Sequence, residues 1–250
     1  MSPAGRKGDD IVGLAFTWQL HHGTYAEYAP VKAASIARKP AKLSFTEAAA
    51  LPLVSLTAWE SLAEYAELKR GQSVLIQAGA GGLGSVALSM ARHLGARVYT
   101  TTRQENFDYV RSRGADHAID YTQHDYASVI RQREPEGLDV VLETLTGDAV
   151  VENAIRLVKP GGTVVYMNNE PPDMPEIAAR RIRTKFLHHR PDGQSLERLM
   201  QLYAAGKLQL PPTEVLPLEA AAEAHRKSES GRTRGKVVLQ VQEIRGPARA

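Results

Sequence analysis

The sequence predicts a doubly wound α/β domain, and three observations carry that reading. From about residue 71 short β-rich runs alternate regularly with segments of helical spacing; a glycine-rich turn joins the first run to the first helix; and the chain's 43% hydrophobic and 24% charged residues are those of an ordinary globular protein. The β-rich runs are Ser73 to Gln77, Ala96 to Thr101, His117 to Asp120, Leu138 to Glu143, Thr163 to Met167 and Lys185 to His188. Between the first two, Leu83, Val86, Ala87, Met90, Ala91 and Leu94 share one helical face. A second helix gathers Val150, Val151, Ala154, Ile155 and Val158 and is expected to stop at Pro160-Gly161-Gly162. Six strands joined by crossover helices imply a parallel sheet covered on both faces.

The flanks read differently. Residues 1–42 are turn-rich, with HGTYAEYAPV as an expected strand. A capping box, Ser44 with Glu47, opens a short helix at SFTEAAAL, and a further helix carries Trp59, Leu62 and Ala66. Leu196, Leu199, Met200 and Tyr203 mark another amphipathic helix; a helix near Leu218 to His225 and the strand KVVLQV follow it. The flanks together are read as a small second domain, since neither is large enough to make one alone.

Composition narrows the function. With 31 basic and 28 acidic residues the net charge of +3 is too even to argue for nucleic acid, while leaving room for a local anion site. There is no cysteine, which excludes disulfides, thiolate metal sites and cysteine nucleophiles. The start lacks the apolar core of a signal peptide and no apolar run is long enough to cross a bilayer, so a cytoplasmic protein is expected.

Gly79-Ala80-Gly81-Gly82-Leu83-Gly84 is G-x-G-x-x-G set between a strand and an amphipathic helix. In that context the first glycine allows a tight turn, the second lets the backbone approach a pyrophosphate, and the third lets helix and strand pack closely. The competing reading is a tight turn without a ligand. An NAD-type site wants a carboxylate about 20 residues on, at the end of the second strand. Here Tyr99-Thr100-Thr101-Thr102-Arg103 offers three hydroxyls and a guanidinium instead, which suit a 2′-phosphate and favour NADPH. The same missing acid disfavours a methyltransferase. A solvated loop with an incidental arginine is the alternative there.

LPLVSLTAWESL, GQSVLIQAGAGGLGSVALSMARHLGARV, GADHAIDY, LDVVLETLTGD, KPGGTVV and the ending HRKSESGRTRGKVVLQV resemble the medium-chain dehydrogenase/reductase superfamily, and within it the zinc-free quinone and alkenal/enone reductases. The resemblance runs from about Gly8 to Val241. It implies a Rossmann domain (54–207) set into a GroES-like catalytic domain (1–53 with 208–250) whose first strands precede GRKGDDIVG in relatives; a late start or a gene remnant is the expectation. It further implies Thr57 beside the nicotinamide and Ala78, Gly79, Gly81, Gly82, Leu83 and Gly84 at the pyrophosphate. Thr102 and Arg103 fall at the 2′-phosphate, Asn106 at the adenosine phosphate, and Tyr121 on the adenosine side. Asn168 faces the nicotinamide pocket and Lys236 is the cofactor-side residue of the last strand. For Thr57 and Asn168 ordinary loop polarity is the other reading, and for Tyr121 a cap on the third strand.

No metal is expected: the histidine pairs His21-His22 and His188-His189 are adjacent, so on a strand they point to opposite faces. There is no G-x-S-x-G elbow for serine hydrolysis. The expected reaction is hydride transfer from NADPH to a quinone or to the C=C bond of an α,β-unsaturated carbonyl, with a small-molecule substrate, no nucleic acid or membrane partner, and a homodimer through the Rossmann domain. The alternative is a truncated or regulatory NADP-binding protein without turnover. No catalytic residue is named; Tyr25 and His22 are weak candidates for substrate contacts.

Overall fold

The structure, a computed structural model, describes residues 6–15, 23–188 and 190–242. The chain opens with β1 (Ile11–Gly13), antiparallel to β2 (Ile36–Arg38), and then α1 (Phe45–Ala49). The capping box is formed: Glu47 N–H donates to Ser44 Oγ at 3.1 Å, and Ser44 N–H to Glu47 Oε2 at 2.8 Å. Helix α2 (Pro52–Trp59) runs on as a π-helical turn over Glu60–Tyr65.

Six strands and their crossover helices follow: β3 (Ser73–Ile76), α3 (Gly82–Leu94), β4 (Arg97–Thr102), α4 (Phe107–Arg113), β5 (His117–Asp120), α5 (Tyr126–Arg133), β6 (Leu138–Glu143), α6 (Asp148–Leu157), β7 (Val158–Tyr166), α7 (Pro175–Ala179) and β8 (Arg183–Phe186). They form one sheet in the order β5-β4-β3-β6-β7-β8, with every neighbouring pair parallel. Counted within the sheet this is 3-2-1-4-5-6, the doubly wound order of Rossmann-like dinucleotide-binding domains. The chain closes with α8 (Gly193–Ala204), β9 (Thr213–Pro217), α9 (Ala221–Glu229) and β10 (Lys236–Gln240), β10 pairing parallel to β9.

The chain divides into two compact units, residues 57–188 and residues 1–56 with 189–250. The first is organised by a core in which Leu75, Tyr99, Val141 and Val164 of the sheet meet Ile130 of α5 and Ile155 of α6. Helix α3 buries more than its apolar stripe, since Ser85, Leu88 and Ser89 are also buried, and it ends on Gly95 in the left-handed conformation at φ 83°.

Four sequence expectations need correction. Residues 23–32 form no strand: Tyr25 and Tyr28 are 55% and 87% exposed, and Pro30 cannot donate to a ladder. Helix α6 ends at Leu157, and Pro160-Gly161-Gly162 lies inside β7. There the pairing with β6 jumps from Leu138↔Val158 to Val140↔Thr163, so Lys159–Gly162 bulge out of the ladder, and Gly161 N–H finds Arg180 O at 2.8 Å. The last strand of the sheet is Arg183–Phe186, paired to Thr163–Tyr166, rather than Lys185 to His188. Helix α8 falls in the unit of β1 and β2, not with the sheet, because it packs on β2 and Glu197 Oε2 accepts from Arg38 N–H at 2.8 Å. The compact units divide at 56/57 and 188/189, where the sequence reading set its domain bounds at 53/54 and 207/208.

Candidate cofactor site

The sheet's strand order reverses between β3 and β6, and ligands of such sheets bind outside the carboxyl ends of the strands at that point. Residues 78–84 follow β3, Thr102 ends β4 with Arg103 after it, Tyr121 follows β5, and Thr144 and Asn168 follow β6 and β7. Residues far apart in sequence thus share one edge of one sheet.

The turn after β3 admits no side chains at its critical glycines. A Cβ on Gly79 would sit 2.1 Å from Thr100 Oγ1, and one on Gly84 would sit 2.3 Å from Ala78 O and 2.7 Å from Gly79 Cα. The first glycine thus serves the approach of β4 to the turn, and the third the contact of helix with strand end. Between strand and turn Ala78 is held at φ 50°, a left-handed conformation that costs a non-glycine residue about 1–3 kcal/mol. The surroundings hold it: Ala78 N–H donates to Thr101 Oγ1 at 3.2 Å, Gly79 N–H to Thr101 O at 3.1 Å, and Gly81 N–H to Ala78 O at 2.9 Å. The first in-helix bond of α3 is Ser85 N–H to Gly81 O, so the N–H groups of Gly82, Leu83 and Gly84 belong to the open first turn and carry the positive end of the helix dipole.

At the end of β4 the structure narrows what the sequence offered. Thr100 is buried and donates to Ile76 O at 2.6 Å, and the Thr101 hydroxyl accepts from Ala78, so both brace the turn rather than face a ligand. Thr102 and Arg103 remain. Arg103 is exposed, and its Nε donates to the Tyr121 hydroxyl at 3.3 Å. Asp120, at the end of β5, is committed to the neighbouring loops: it accepts from Thr122 N–H and Oγ1 and from Gln104 N–H. The Thr122 bonds, first of all, hold its pKa down.

Asn168 is exposed and its Nδ2 donates to Thr144 O at 2.7 Å, which leaves Oδ1 directed by a fixed amide. Asn106 is half-buried at the start of α4, its N–H on Arg103 O at 2.9 Å. Thr57 is buried in α2, its carbonyl taken by Ser61 Oγ at 2.7 Å. Lys236 lies in the other unit, half-buried at the start of β10; burial lowers its pKa. Tyr25 pairs with His225, hydroxyl to Nε2 at 3.0 Å, while His21, His22 and His189 lie outside the described residues. Sequence reasoning missed Gln77 and Glu143. Gln77 O accepts from Thr144 Oγ1 at 3.1 Å, and both are polar residues closing apolar strand runs, the one signal that marked them.

Among the described residues no donor set for zinc is met. The chain has no cysteine, and among the described residues no group of three His, Cys, Asp or Glu side chains could hold a metal ion. Among them, too, no helix is long and apolar enough to cross a membrane.

Comparison with known proteins agrees with this geometry. Residues 113–239 match the family model described as zinc-binding dehydrogenase. The 2-methylene-furan-3-one reductase of Solanum lycopersicum is 32% identical over 94% of this chain, and the chloroplastic NADPH-dependent alkenal/one oxidoreductase of Arabidopsis thaliana 31% over 94%. The chain spans 58% of the length of each. The structure of the quinone oxidoreductase from Coxiella burnetii superposes with a TM-score of 0.84 at 32% identity, over 94% of this chain and 73% of that one. With its glycine turn, its strand order and a family match over half its length, the chain belongs to the zinc-binding dehydrogenase family of medium-chain dehydrogenase/reductases.

Proposed function

We propose that the chain is a zinc-independent oxidoreductase that uses NADPH to reduce a quinone or the C=C bond of an α,β-unsaturated carbonyl. One observation carries the reading: the glycine turn after β3 stands beside a β4 end that offers Arg103 where an NAD-type site would offer a carboxylate. The names of the relatives, a furanone reductase, an alkenal/one oxidoreductase and a quinone oxidoreductase, support the substrate class.

In this reading the backbone of Ala78, Gly79, Gly81, Gly82, Leu83 and Gly84 holds the pyrophosphate through amide hydrogens and the α3 dipole. Thr102 and Arg103 take the 2′-phosphate, Arg103 as the charged donor fixed in place by Tyr121, which itself flanks the adenosine. Asn106 serves the adenosine phosphate. Thr57 and Asn168 flank the nicotinamide, and Lys236 is the cofactor-side residue of the final strand. When bound, NADPH supplies the hydride; the protein orients it and stabilises the oxyanion that develops on the acceptor. The described residues offer zinc no ligand set, and no step uses it. A cytoplasmic homodimer joined through the sheet domain completes the proposal.

The test is NADPH oxidation by the full chain with a quinone and with a short enone, followed at 340 nm. Acceptor-dependent oxidation is expected. NADPH binding without turnover would instead favour a nucleotide-binding protein, and neither binding nor turnover would overturn the cofactor assignment as well.

A further inference from the structure

Glu143, the last residue of β6, is fully buried. A carboxyl group withdrawn from water costs several kcal/mol unless it is well partnered. No cation is paired with it among the described residues; burial raises its pKa against the bonds from Asn169 and Leu145, and its charge in turn raises the phenols of Tyr126 and Tyr166. Its partners are N–H donors from two different loops. Oε1 accepts from Leu145 N–H at 2.5 Å, and Oε2 accepts from Asn169 Nδ2 at 3.0 Å. The same Asn169 amide donates to Leu145 O at 2.8 Å, and the neighbouring Asn168 to Thr144 O at 2.7 Å. Thr144 is in turn tied to the end of β3, its N–H on Gln77 Oε1 at 3.3 Å and its hydroxyl on Gln77 O.

One buried carboxyl therefore clamps the segments that follow β6 and β7, and the clamp is anchored next to the glycine turn. A strand end that needed only to be stable would be served by an apolar or hydroxyl residue at that place. Topology says what the clamp faces. In a doubly wound sheet the dinucleotide lies across the switch point, one mononucleotide on each half. The glycine turn and Arg103 belong to the half β3–β5, so the ends of β6 and β7 fall to the other mononucleotide.

We infer that Glu143 is a positioning residue, one that holds Leu145 and Asn169 together and thereby fixes the two segments against which the nicotinamide half of the dinucleotide rests. This rests on the NADPH reading above. It separates the two halves of the cofactor: loss of the clamp is felt by the nicotinamide mononucleotide and not by the adenosine half.

The experiment compares NADPH with 2′,5′-ADP, which carries the adenosine and 2′-phosphate but no nicotinamide. Both are titrated calorimetrically into the full chain and into Glu143→Gln and Asn169→Ala. Glutamine keeps the shape and the acceptor for Leu145 but turns an amide donor toward Asn169; Asn169→Ala opens the same clamp from the other side and keeps the test alive if the first variant does not fold. Each variant is expected to bind NADPH about tenfold more weakly, the scale of one charge-assisted hydrogen bond, with 2′,5′-ADP unchanged within about twofold. In turnover, kcat falls while KM for the acceptor holds. Equal weakening of both ligands would make Glu143 merely structural and overturn the inference, as would no change in either. A wild-type chain that binds neither ligand would overturn the NADPH reading itself, and the inference with it.

Discussion

The Nε of Arg103 donates to the Tyr121 hydroxyl at 3.3 Å, so the residue after β4 is tied to the residue after β5. The bond uses one of the five guanidinium N–H groups and leaves the outer nitrogens for an anion. The contact joins the two strand ends on which the NADPH reading places the 2′-phosphate and the adenosine.

Replacing Arg103 with alanine removes that charge without touching the core. NADPH affinity is expected to fall by about tenfold or more, the scale of a hydrogen bond to a charged group, with NADH affinity nearly unchanged. Paired titrations of the two cofactors check this; equal losses would show that Arg103 does not read the 2′-phosphate. Tyr121→Phe should give a smaller loss in the same direction.

Gly84→Ala places a methyl group against backbone on both sides of the turn, at 2.3 Å from Ala78 O and 2.7 Å from Gly79 Cα. No rotamer relieves such an overlap, so helix α3 must shift. A loss of about 1–3 kcal/mol in stability is expected, together with loss of cofactor binding. Denaturant unfolding with and without NADPH measures both.

Much of this site was legible beforehand because it is local. The glycines, the strand before them and the helix after them lie within one short stretch, and the roles of Gly79 and Gly84 follow from backbone sterics alone. Arg103 was legible as standing where an NAD-type site wants a carboxylate. What escaped was contact between distant strand ends: Glu143 meets Asn169 across 26 positions, and only the order of the sheet brings them together. Thr100 and Thr101 were misread for the same reason, since their hydroxyls turn to Ile76 of the neighbouring strand and to Ala78 just beyond its end. Helix α8 shows another limit. The stripe of Leu196, Leu199, Met200 and Tyr203 says that a face is buried but not against what, and the partner is β2.

At the opposite end of the sheet, Asp139 offers a test of acid stability. Burial alone would raise its pKa, but the Lys159 ammonium at 2.5 Å and the Ser73 N–H at 2.9 Å outweigh it and hold the group below its ordinary value. A depressed folded pKa means the charged form stabilises the fold. That stabilisation is complete above the unfolded value of about 4 and drains away as pH falls through the folded one. Asp139→Asn is expected to cost about 1–3 kcal/mol at pH 7 and progressively less below pH 4, as urea midpoints across that range would record.

The most direct test of the account is a calorimetric titration of NADPH and of NADH into the full chain. One NADPH site per chain, with NADH bound at least about tenfold more weakly, is the expected result. Equal affinity for the two, or no binding of either, would contradict it.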